Sequence, residues 1–386
     1  MIPYGRHDIS QHDIDAVLDV LKSDFLTQGP KVPLFEKAIS EKVGSKHAVA
    51  FNSATSALHV ACLALDLGPG DTLWTSPISF VASANAALYC GADVDFVDID
   101  FDSNNISVEK LRIKLERANV EGLLPKVVMP VHMAGFSCDM KAIFELSKEY
   151  GFRIIEDASH AIGASYKNES VGCCRYSDIT VFSFHPVKII TTAEGGAATT
   201  NDSKLFERLI LLRSHGVTRD PSLMDVNPHG DWYYQQIDLG FNYRMTEMQA
   251  ALGCAQMFRL DQFVAKRNLL AKRYFDRLSD LPLCLPLESL DVYSSYHLYI
   301  IKLTDDAFIQ RKQLFDGMRK REIGVNVHYI PIYAHPYYQK LGFSSSDFPE
   351  SERFYNSAIS IPIYPNLTDK NFEYIVNSLR TLISPI

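Results

Sequence analysis

The sequence is organised around one stretch, Thr180-Val181-Phe182-Ser183-Phe184-His185-Pro186-Val187-Lys188-Ile189-Ile190-Thr191-Thr192-Ala193-Glu194-Gly195-Gly196. This stretch places Lys188 between an apolar, β-branched run and a Gly-Gly turn. Burial disfavours the charged form of a lysine, so its amine can become a base or a nucleophile that forms an imine. Most lysines are solvated surface residues, and this simpler interpretation applies to Lys188 unless the neighbouring segments contradict it.

A second segment upstream of the lysine reads Arg153-Ile154-Ile155-Glu156-Asp157-Ala158-Ser159-His160. Its apolar residues end in a carboxylate followed by small residues, which predicts a strand that delivers Asp157 to its carboxyl edge. Ligands bind at that edge in open α/β sheets. A carboxylate there can keep the ring nitrogen of an electron-sink cofactor such as pyridoxal phosphate protonated. Asp157 could equally cap a following helix.

A third segment, Asn52-Ser53-Ala54-Thr55-Ser56-Ala57-Leu58, follows the strand-like run His47–Phe51 and opens a predicted helix. The free backbone N–H groups at the start of a helix suit a phosphate. Plain capping of this helix by Ser53 or Thr55 is the alternative. Ser183 stands in the turn that leads to Lys188, which would place it near the same ligand.

Together these segments resemble the DegT/DnrJ/EryC1/StrS sugar aminotransferase family, which has the fold-type I architecture of pyridoxal phosphate enzymes. Seven matching stretches occur in family order over most of the chain: Thr27–Pro30, Asn52–Leu58, Thr75–Ser83, Val131–Gly135, Glu156–His160, Thr180–Gly196 and Gly240–Met245. The resemblance implies an α/β fold with a mostly parallel central sheet flanked by helices and a smaller C-terminal α+β domain. It also implies pyridoxal 5′-phosphate as cofactor, with L-glutamate and a nucleotide-linked keto sugar as substrates.

The resemblance also implies roles for individual residues. Lys188 would hold the cofactor as an imine and then move protons as base and acid, while Asp157 would keep the ring nitrogen protonated. The other cofactor-binding residues implied are Ala54, Thr55, Phe80, His160, Ser183 and Asn242. His160 would lie near the cofactor ring or its 3′-oxygen, where a hydrogen-bonding and a stacking role are both open. Phe80 would line a face of the ring, and a core phenylalanine is nearly as good an interpretation.

In the family, the asparagine matching Asn242 reaches the phosphate bound by the neighbouring subunit, which implies a homodimer with shared active sites. From the residues alone, Asn242 is an asparagine in a turn before a capped helix. On the substrate side the resemblance implies contacts from Tyr4, Gly29, His328 and Tyr329. The opening Met1–Arg6 and the block Ser183–Lys188 favour the members that aminate C4 of a UDP-linked 4-keto-6-deoxy sugar in pseudaminic acid biosynthesis.

The composition is that of an ordinary soluble protein, with 386 residues, 47% hydrophobic and 22% charged. A net charge of −8 argues against general attraction to nucleic acid or to anionic membranes. The seven cysteines include no C-x-x-C pair, which is typical of reduced thiols in the cytosol. The N-terminus has no apolar signal region and no run approaches the length of a membrane span, so we expect a cytoplasmic enzyme without nucleic-acid or membrane partners.

Strands and helices alternate between residues 47 and 156, which predicts a mostly parallel sheet. The runs Ile179–Phe184 and Gly196–Thr200 predict an antiparallel pair around the lysine, and residues 325–330 read as a further strand. Ser10 predicts the start of a helix to about Lys22, along which one apolar stripe is formed by Ile14, Val17, Leu18 and Leu21. We expect a large cofactor-binding domain over residues 1–250 and a small C-terminal domain over residues 251–386.

Two further observations limit the interpretation. The histidines near these motifs lack the spacing of a metal site, so no metal is expected. Ala193 replaces the first glycine that the family usually has after the lysine, in Thr-Thr-Gly-Glu-Gly-Gly. If residue 193 needs a positive φ, an alanine there is strained by roughly 1 kcal/mol, although an unstrained backbone is equally compatible.

Two other functions fit the sequence less well. Dehydratases of the same family carry a histidine at the lysine position, so Lys188 argues against that reaction. A non-enzymatic sensor or regulator would need a segment that binds DNA or a membrane, and the sequence has no basic helix or tail.

Overall fold

The computed structural model of the chain describes residues 1–383 and has a seven-stranded central sheet. The strands of the chain are β1 (His47–Phe51), β2 (Thr72–Thr75), β3 (Asp93–Phe96), β4 (Val127–Met129), β5 (Arg153–Asp157), β6 (Ser165–Tyr166), β7 (Glu169–Ser170), β8 (Ile179–Ser183), β9 (Gly196–Thr200), β10 (Val217–Thr218), β11 (Gln235–Gln236), β12 (Leu283–Cys284), β13 (Val292–Tyr293), β14 (Tyr299–Leu303) and β15 (Ala358–Ile361). The central sheet has the order β1-β9-β8-β5-β4-β2-β3, and only β9 runs antiparallel to its neighbours. The mostly parallel sheet predicted from the sequence is therefore confirmed.

Helices cover the sheet, and several of them begin at a residue whose side chain caps the helix. They are α1 (Gln11–Leu21), α2 (Lys31–Val43), α3 (Ala54–Ala64), α4 (Ala82–Tyr89), α5 (Val108–Glu121), α6 (Met140–Tyr150), α7 (Ser203–Arg213), α8 (Glu247–Met257), α9 (Leu260–Leu278), α10 (Arg311–Lys320), α11 (Pro336–Gln339), α12 (Pro349–Ser357) and α13 (Asp369–Ile383). Ser10 and Thr246 form capping boxes at the starts of α1 and α8. Gly44 ends α2 with a φ of 76°, a left-handed conformation that suits glycine.

A second apolar core forms in the C-terminal part of the chain. The sheet β12-β14-β15 packs with α9, α10 and α13 around buried residues such as Tyr274, Leu314, Ile359 and Leu379. This gives the smaller α+β unit that was expected. The helix α8 packs against α1 and α2 of the first part, and the division of the chain at residue 250 stays a prediction.

The apolar stripe of α1 does not pack onto the rest of its own chain. Ile14, Leu18 and Leu21 are 51%, 42% and 55% exposed. Asp13 and Val20 are the buried residues of this helix, and Asp13 is held by its ion pair with Arg259. Hydrophobic periodicity identified the helix correctly, but it does not determine which surface covers the apolar face.

The prediction of a strand over residues 325–330 is wrong. In this segment only Asn326 bridges to another strand, at Ser360. The side-chain oxygen of Asn326 accepts the N–H of Val327 at 2.9 Å. Such a local side-chain bond competes with a sheet ladder for the backbone donor, so the segment continues as irregular structure.

The lysine loop between β8 and β9 is held closed by backbone hydrogen bonds. The antiparallel pairing of these strands, predicted from the sequence, is confirmed. Phe184 donates its N–H to the Gly195 carbonyl at 2.9 Å, and Thr192 donates to the Phe184 carbonyl at 3.0 Å. Ala193 has a φ of 65°. The positive φ considered from the sequence is therefore present, and it strains an alanine by about 1–2 kcal/mol.

Candidate active site

The side chains singled out in the sequence meet where two parallel strands end. The strand β5 ends at Asp157 and β8 ends at Ser183, and their pairing aligns Asp157 with Val181. Lys188, in the loop after β8, is near enough to Asp157 for their charges to interact. These residues therefore share the carboxyl edge of the sheet, which is the edge that binds ligands in open α/β folds.

Lys188 has the electrostatic surroundings of a reactive amine. Removal from water lowers the pKa of Lys188 to about 8, and the negative charge of Asp157 limits that shift. A fraction of such an amine is unprotonated near neutral pH, and only the unprotonated form is a nucleophile or a base. His185 supports the loop, because its carbonyl accepts the Lys188 N–H at 2.9 Å. Lys188 is half-buried, so it is not a fully exposed surface residue.

Asp157 is 4% exposed, and both of its carboxylate oxygens accept hydrogen bonds. Ser83 Oγ donates to Oδ2 at 2.6 Å, and the N–H of Ser159 donates to Oδ1 at 3.1 Å. Residues 158–164 form turns, and the next element is the strand β6. Asp157 therefore does not cap a following helix, and its carboxylate is fixed at the sheet edge.

His160 is held by hydrogen bonds on both sides of its ring. The N–H of Ala134 donates to Nδ1 at 3.2 Å, and Nε2 lies 3.1 Å from Tyr329 Oη. Burial and the positive charge of Lys188 place the pKa of His160 well below its ordinary value, so the ring is neutral. Nδ1 accepts a bond and carries no proton, so the single ring proton lies on Nε2. Both nitrogens are thus used within the protein, which favours the stacking role over a hydrogen bond to a ligand.

An aromatic group borders His160. The ring centroid of His328 lies 5.3 Å from that of Tyr4 and 5.0 Å from that of Tyr329. Burial and the charge of Lys188 lower the pKa of His328 to about 3, so this imidazole is neutral as well. Because both imidazoles are neutral, Lys188 is the cationic side chain beside them whose protonation changes near physiological pH.

Tyr329 presents a hydroxyl hydrogen to this pocket. Burial and the negative charge of Asp157 raise the pKa of Tyr329, so the hydroxyl stays protonated. Its oxygen accepts a bond from His160, and among residues 1–383 its own hydrogen has no acceptor. Phe80 is 59% exposed, with its ring centroid 6.2 Å from that of Tyr329. Phe80 is therefore an exposed residue beside the Tyr329 ring, and the core interpretation of this residue is wrong.

The start of α3 leaves backbone donors free beside the lysine loop. Ser53 caps the helix by accepting the N–H of Ser56 at 3.1 Å. Within residues 1–383 the N–H groups of Ala54 and Thr55 have no partner, so capping and anion binding are compatible here. Gly196 lies directly against this turn, since a Cβ at residue 196 would come 2.5 Å from the Ala54 nitrogen. This close approach leaves no room for a side chain at residue 196.

Comparison with known proteins shows the family of the chain. Residues 7–380 match the DegT/DnrJ/EryC1/StrS aminotransferase family. The chain is 38% identical over 389 aligned positions to the UDP-4-amino-4,6-dideoxy-N-acetyl-beta-L-altrosamine transaminase of Campylobacter jejuni serotype O:2, covering 100% of this chain and 98% of that protein. This protein belongs to the DegT/DnrJ/EryC1/StrS family.

Solved structures of the family agree with the fold. PseC of Helicobacter pylori, an aminotransferase of pseudaminic acid biosynthesis, aligns with a TM-score of 0.89 and 35% identity over 99% of both chains. The sugar aminotransferase Spr1654 of Streptococcus pneumoniae, solved in a PMP form, aligns with a TM-score of 0.89 and 29% identity over 99% of both chains. The chain is thus a sugar aminotransferase of this family, and the regulator interpretation is set aside. The family and the PLP and PMP forms of Spr1654 imply pyridoxal phosphate as cofactor.

Two residues implied by the family resemblance make no hydrogen bond to Lys188 or Asp157 within residues 1–383. A Cβ at Gly29 would meet Phe25 and Glu247, and Glu247 in turn accepts the first N–H groups of α2. Asn242 is exposed, and its carbonyl lies 3.5 Å from the side-chain nitrogen of Asn52. The structure does not bring either residue into contact with Lys188 within one chain.

Sequence reasoning gave no role to two residues of this site. Ser83 lies in a quoted motif, but only the tertiary structure shows its bond to Asp157. His297 is buried, with its ring centroid 4.4 Å from that of His160 and with Nδ1 unpartnered among residues 1–383. A histidine ahead of an apolar strand carries no local signal for such a position.

Proposed function

We propose that this aminotransferase moves an amino group from L-glutamate to C4 of a UDP-linked 2-acetamido-2,6-dideoxy-4-ketohexose, the reaction that pseudaminic acid biosynthesis requires. The observation that carries the proposal is the amine of Lys188, with its pKa lowered to about 8 beside the buried Asp157 carboxylate. The narrower choice of sugar rests on similarity to the Campylobacter transaminase and to PseC. An enzyme of the same family that acts on another nucleotide-linked keto sugar is the alternative.

The residues present fit pyridoxal phosphate. The free N–H groups of Ala54 and Thr55 would hold its phosphate at the start of α3, together with Ser183. Asp157 would pair with the ring nitrogen, and the face of His160 would stack on the ring. Bound in this way, the cofactor would supply an electron sink for the carbanion formed at the donor carbon.

Lys188 moves the protons of the reaction. Its amine takes a proton from the α-carbon of the amino donor as base and returns a proton as acid, and the same group serves the second half-reaction in reverse. A base works best when its pKa lies near the working pH, and burial brings Lys188 close to that condition. Lys188 also argues against dehydration, which family members carry out with a histidine at this position.

The neutral aromatic group would bind the sugar. Tyr4, His328 and Tyr329 combine apolar rings with hydroxyl and imidazole groups, which suits a ring that has both apolar faces and hydroxyl edges. Contacts to the nucleotide, remote from C4, would orient the ketone, so truncated sugars should lose rate as well as affinity.

We further propose a homodimer with shared active sites. The exposed apolar side chains Ile14, Leu18 and Leu21 form one face of α1, and Phe25 and Phe258 are 54% and 88% exposed. A second copy of the chain could cover these side chains, as clustered exposed apolar residues commonly mark interfaces. Gly29 and Asn242, which do not contact Lys188 in their own chain, would then serve the partner's pocket.

We place the enzyme in the cytoplasm. All seven cysteines are free thiols in the structure, which is usual in reducing compartments. No helix within residues 1–383 combines the length and apolar character needed to cross a bilayer.

A panel of ketosugars tests the reaction. The enzyme is incubated with pyridoxal phosphate, ¹⁵N-glutamate and one of several UDP- or dTDP-linked keto sugars, and the product is examined by NMR. We expect ¹⁵N at C4 of the UDP-linked 4-ketohexose in a single configuration, and no product with the Lys188→Ala variant. If that sugar is inert while a dTDP-linked or 3-keto sugar reacts well, the narrow substrate assignment is wrong.

A further inference from the structure

A chain of two buried hydroxyls leads to the carboxylate of Asp157. Ser79 Oγ lies 2.7 Å from Ser83 Oγ, and Ser83 Oγ lies 2.6 Å from Asp157 Oδ2. Ser83 is 0% exposed and Ser79 is 3% exposed. Ser79 lies in the bend before α4 and Ser83 lies in the first turn of α4, whereas Asp157 is 74 residues further along the chain than Ser83.

The direction of these hydrogen bonds follows from the number of available protons. Asp157 is a carboxylate and can only accept, so the single hydroxyl proton of Ser83 points at Oδ2. Ser83 must then accept from Ser79, whose proton lies between the two hydroxyl oxygens. Successive hydrogen bonds polarise one another in this arrangement, so Ser79 strengthens the bond that Ser83 makes.

Capping of α4 does not explain why serines occupy positions 79 and 83. No side chain caps α4, since its N-cap residue is Val81. The shortest contact of Ser83 is the one with Asp157, while its contact with the Phe80 carbonyl is longer at 3.3 Å. With the Ser159 N–H on Oδ1, the Ser83 hydroxyl fixes the plane of the carboxylate.

We propose that Ser83, oriented by Ser79, is a positioning residue that holds the plane of the Asp157 carboxylate in the orientation in which it would face the ring nitrogen of the cofactor. This inference rests on the proposed cofactor chemistry. Hydrogen bonds to the charged form of a carboxylate favour that form. Only a charged, fixed Asp157 can act as the counter-ion that keeps a pyridine nitrogen protonated.

The chain contains a matched control far from Lys188 in sequence. Ser351 Oγ donates to Asp98 Oδ1 at 2.6 Å, and Ser351 is also 0% exposed. Replacing Ser351 by alanine therefore removes a buried serine–aspartate bond of the same length outside the pocket. Loss of stability alone should be similar in Ser83→Ala and Ser351→Ala.

The test compares three readouts in the wild type and in the three alanine variants Ser83→Ala, Ser79→Ala and Ser351→Ala. These are the melting temperature, the dissociation constant for pyridoxal phosphate by fluorescence, and the single-turnover rate with glutamate. A hydrogen bond to a charged group is worth about 1.5–3 kcal/mol, which corresponds to about 10- to 150-fold in rate. We expect a loss of that size for Ser83→Ala, a smaller loss for Ser79→Ala, and a wild-type rate for Ser351→Ala.

The pH titration of the cofactor's visible absorbance gives a second signature. We expect its midpoint to move in Ser83→Ala and to stay unchanged in Ser351→Ala, with partial recovery in Ser83→Cys, which keeps a weak donor. Wild-type rate and midpoint in Ser83→Ala would overturn the inference, as would equal shifts in Ser351→Ala. If Ser83→Ala does not fold, the same rate and the same titration midpoint are measured in Ser79→Ala, and wild-type values there would overturn the inference.

These outcomes are distinct from failure of the proposed function. A wild-type protein that binds pyridoxal phosphate without an absorbance change on addition of glutamate would contradict the function itself, and the role of Ser83 would fall with it. A responsive wild type with an unaffected Ser83→Ala variant contradicts the inference alone.

Discussion

The backbone N–H of Ala134 donates to Nδ1 of His160 from 3.2 Å, and this contact decides which nitrogen of the imidazole carries the proton. The proton lies on Nε2 and is donated to Tyr329, whose own hydroxyl hydrogen is left for a ligand. A main-chain donor cannot change its protonation state, so the tautomer of His160 stays fixed throughout a catalytic cycle.

The first prediction concerns the Tyr329 hydroxyl. Tyr329→Phe should weaken the binding of the cofactor or of the keto sugar about fivefold or more, because a hydrogen bond is worth about 1 kcal/mol. Fluorescence titration and KM values measure the two affinities, with the partly exposed Tyr293→Phe as control. Unchanged affinities for both ligands would remove Tyr329 from the binding surface.

The second prediction is the pH dependence of covalent capture of pyridoxal phosphate by the apo-protein. Only the unprotonated amine reacts, so the rate should rise about tenfold per pH unit below the pKa of Lys188 and level off above about 8. Stopped-flow absorbance follows the reaction, and Lys188→Ala should remain folded and show neither capture nor turnover. A rate that still rises beyond pH 10 would mean that Lys188 titrates as an ordinary solvated lysine.

The third prediction is that Asp157→Asn binds pyridoxal phosphate but slows the glutamate half-reaction by about a hundredfold or more, as loss of a preorganised charge commonly does. Single-turnover absorbance measures the rate. Asp98→Asn is the matched control, since Asp98 is also buried and also accepts a serine hydroxyl. A half-reaction near the wild-type rate would show that Asp157 has only a structural role.

The fourth prediction tests the shared site. Mixed dimers of an inactive Lys188→Ala chain and an inactive Asn242→Ala chain should recover activity, because one of the two hybrid sites would contain both intact groups. Activity is assayed after the tagged chains are co-purified. If heterodimers form without activity, Asn242 acts within its own chain, beside Asn52, or outside the site.

The fifth prediction concerns the strained turn after the lysine. Ala193→Gly should raise the free energy of unfolding by about 0.5–1 kcal/mol, because relief of the positive φ exceeds the entropy that glycine loses on folding. Denaturant titration measures the change. Ala198→Gly, in the buried strand β9, should instead destabilise the protein, and a loss of stability in Ala193→Gly would show that the turn is not strained.

Much of the architecture could be predicted because its signals are local. The strands and helices between residues 47 and 156 follow from hydrophobic period, and Ser10, Gly44 and Thr246 mark helix ends through their own side chains or backbone. The prediction of a strand over residues 325–330 failed because the side chain of Asn326 accepts the backbone N–H of Val327. The alternation of residue types along the sequence cannot reveal such a bond.

The sequence by itself determined which lysine and which carboxylate are the candidates for the site, Lys188 and Asp157. It could do so because each of the two segments reads as a strand that leads to one chemically distinct residue. It left open the role of His160, the surface that covers α1 and the environment of Asp157. The structure supplied the hydrogen-bond partners of His160 and of Asp157, which are Ala134, Tyr329 and Ser83, residues distant in sequence from the groups that they orient. Hydrogen bonds between distant segments leave no period or cap in the sequence, and only the folded chain brings their donors and acceptors within reach.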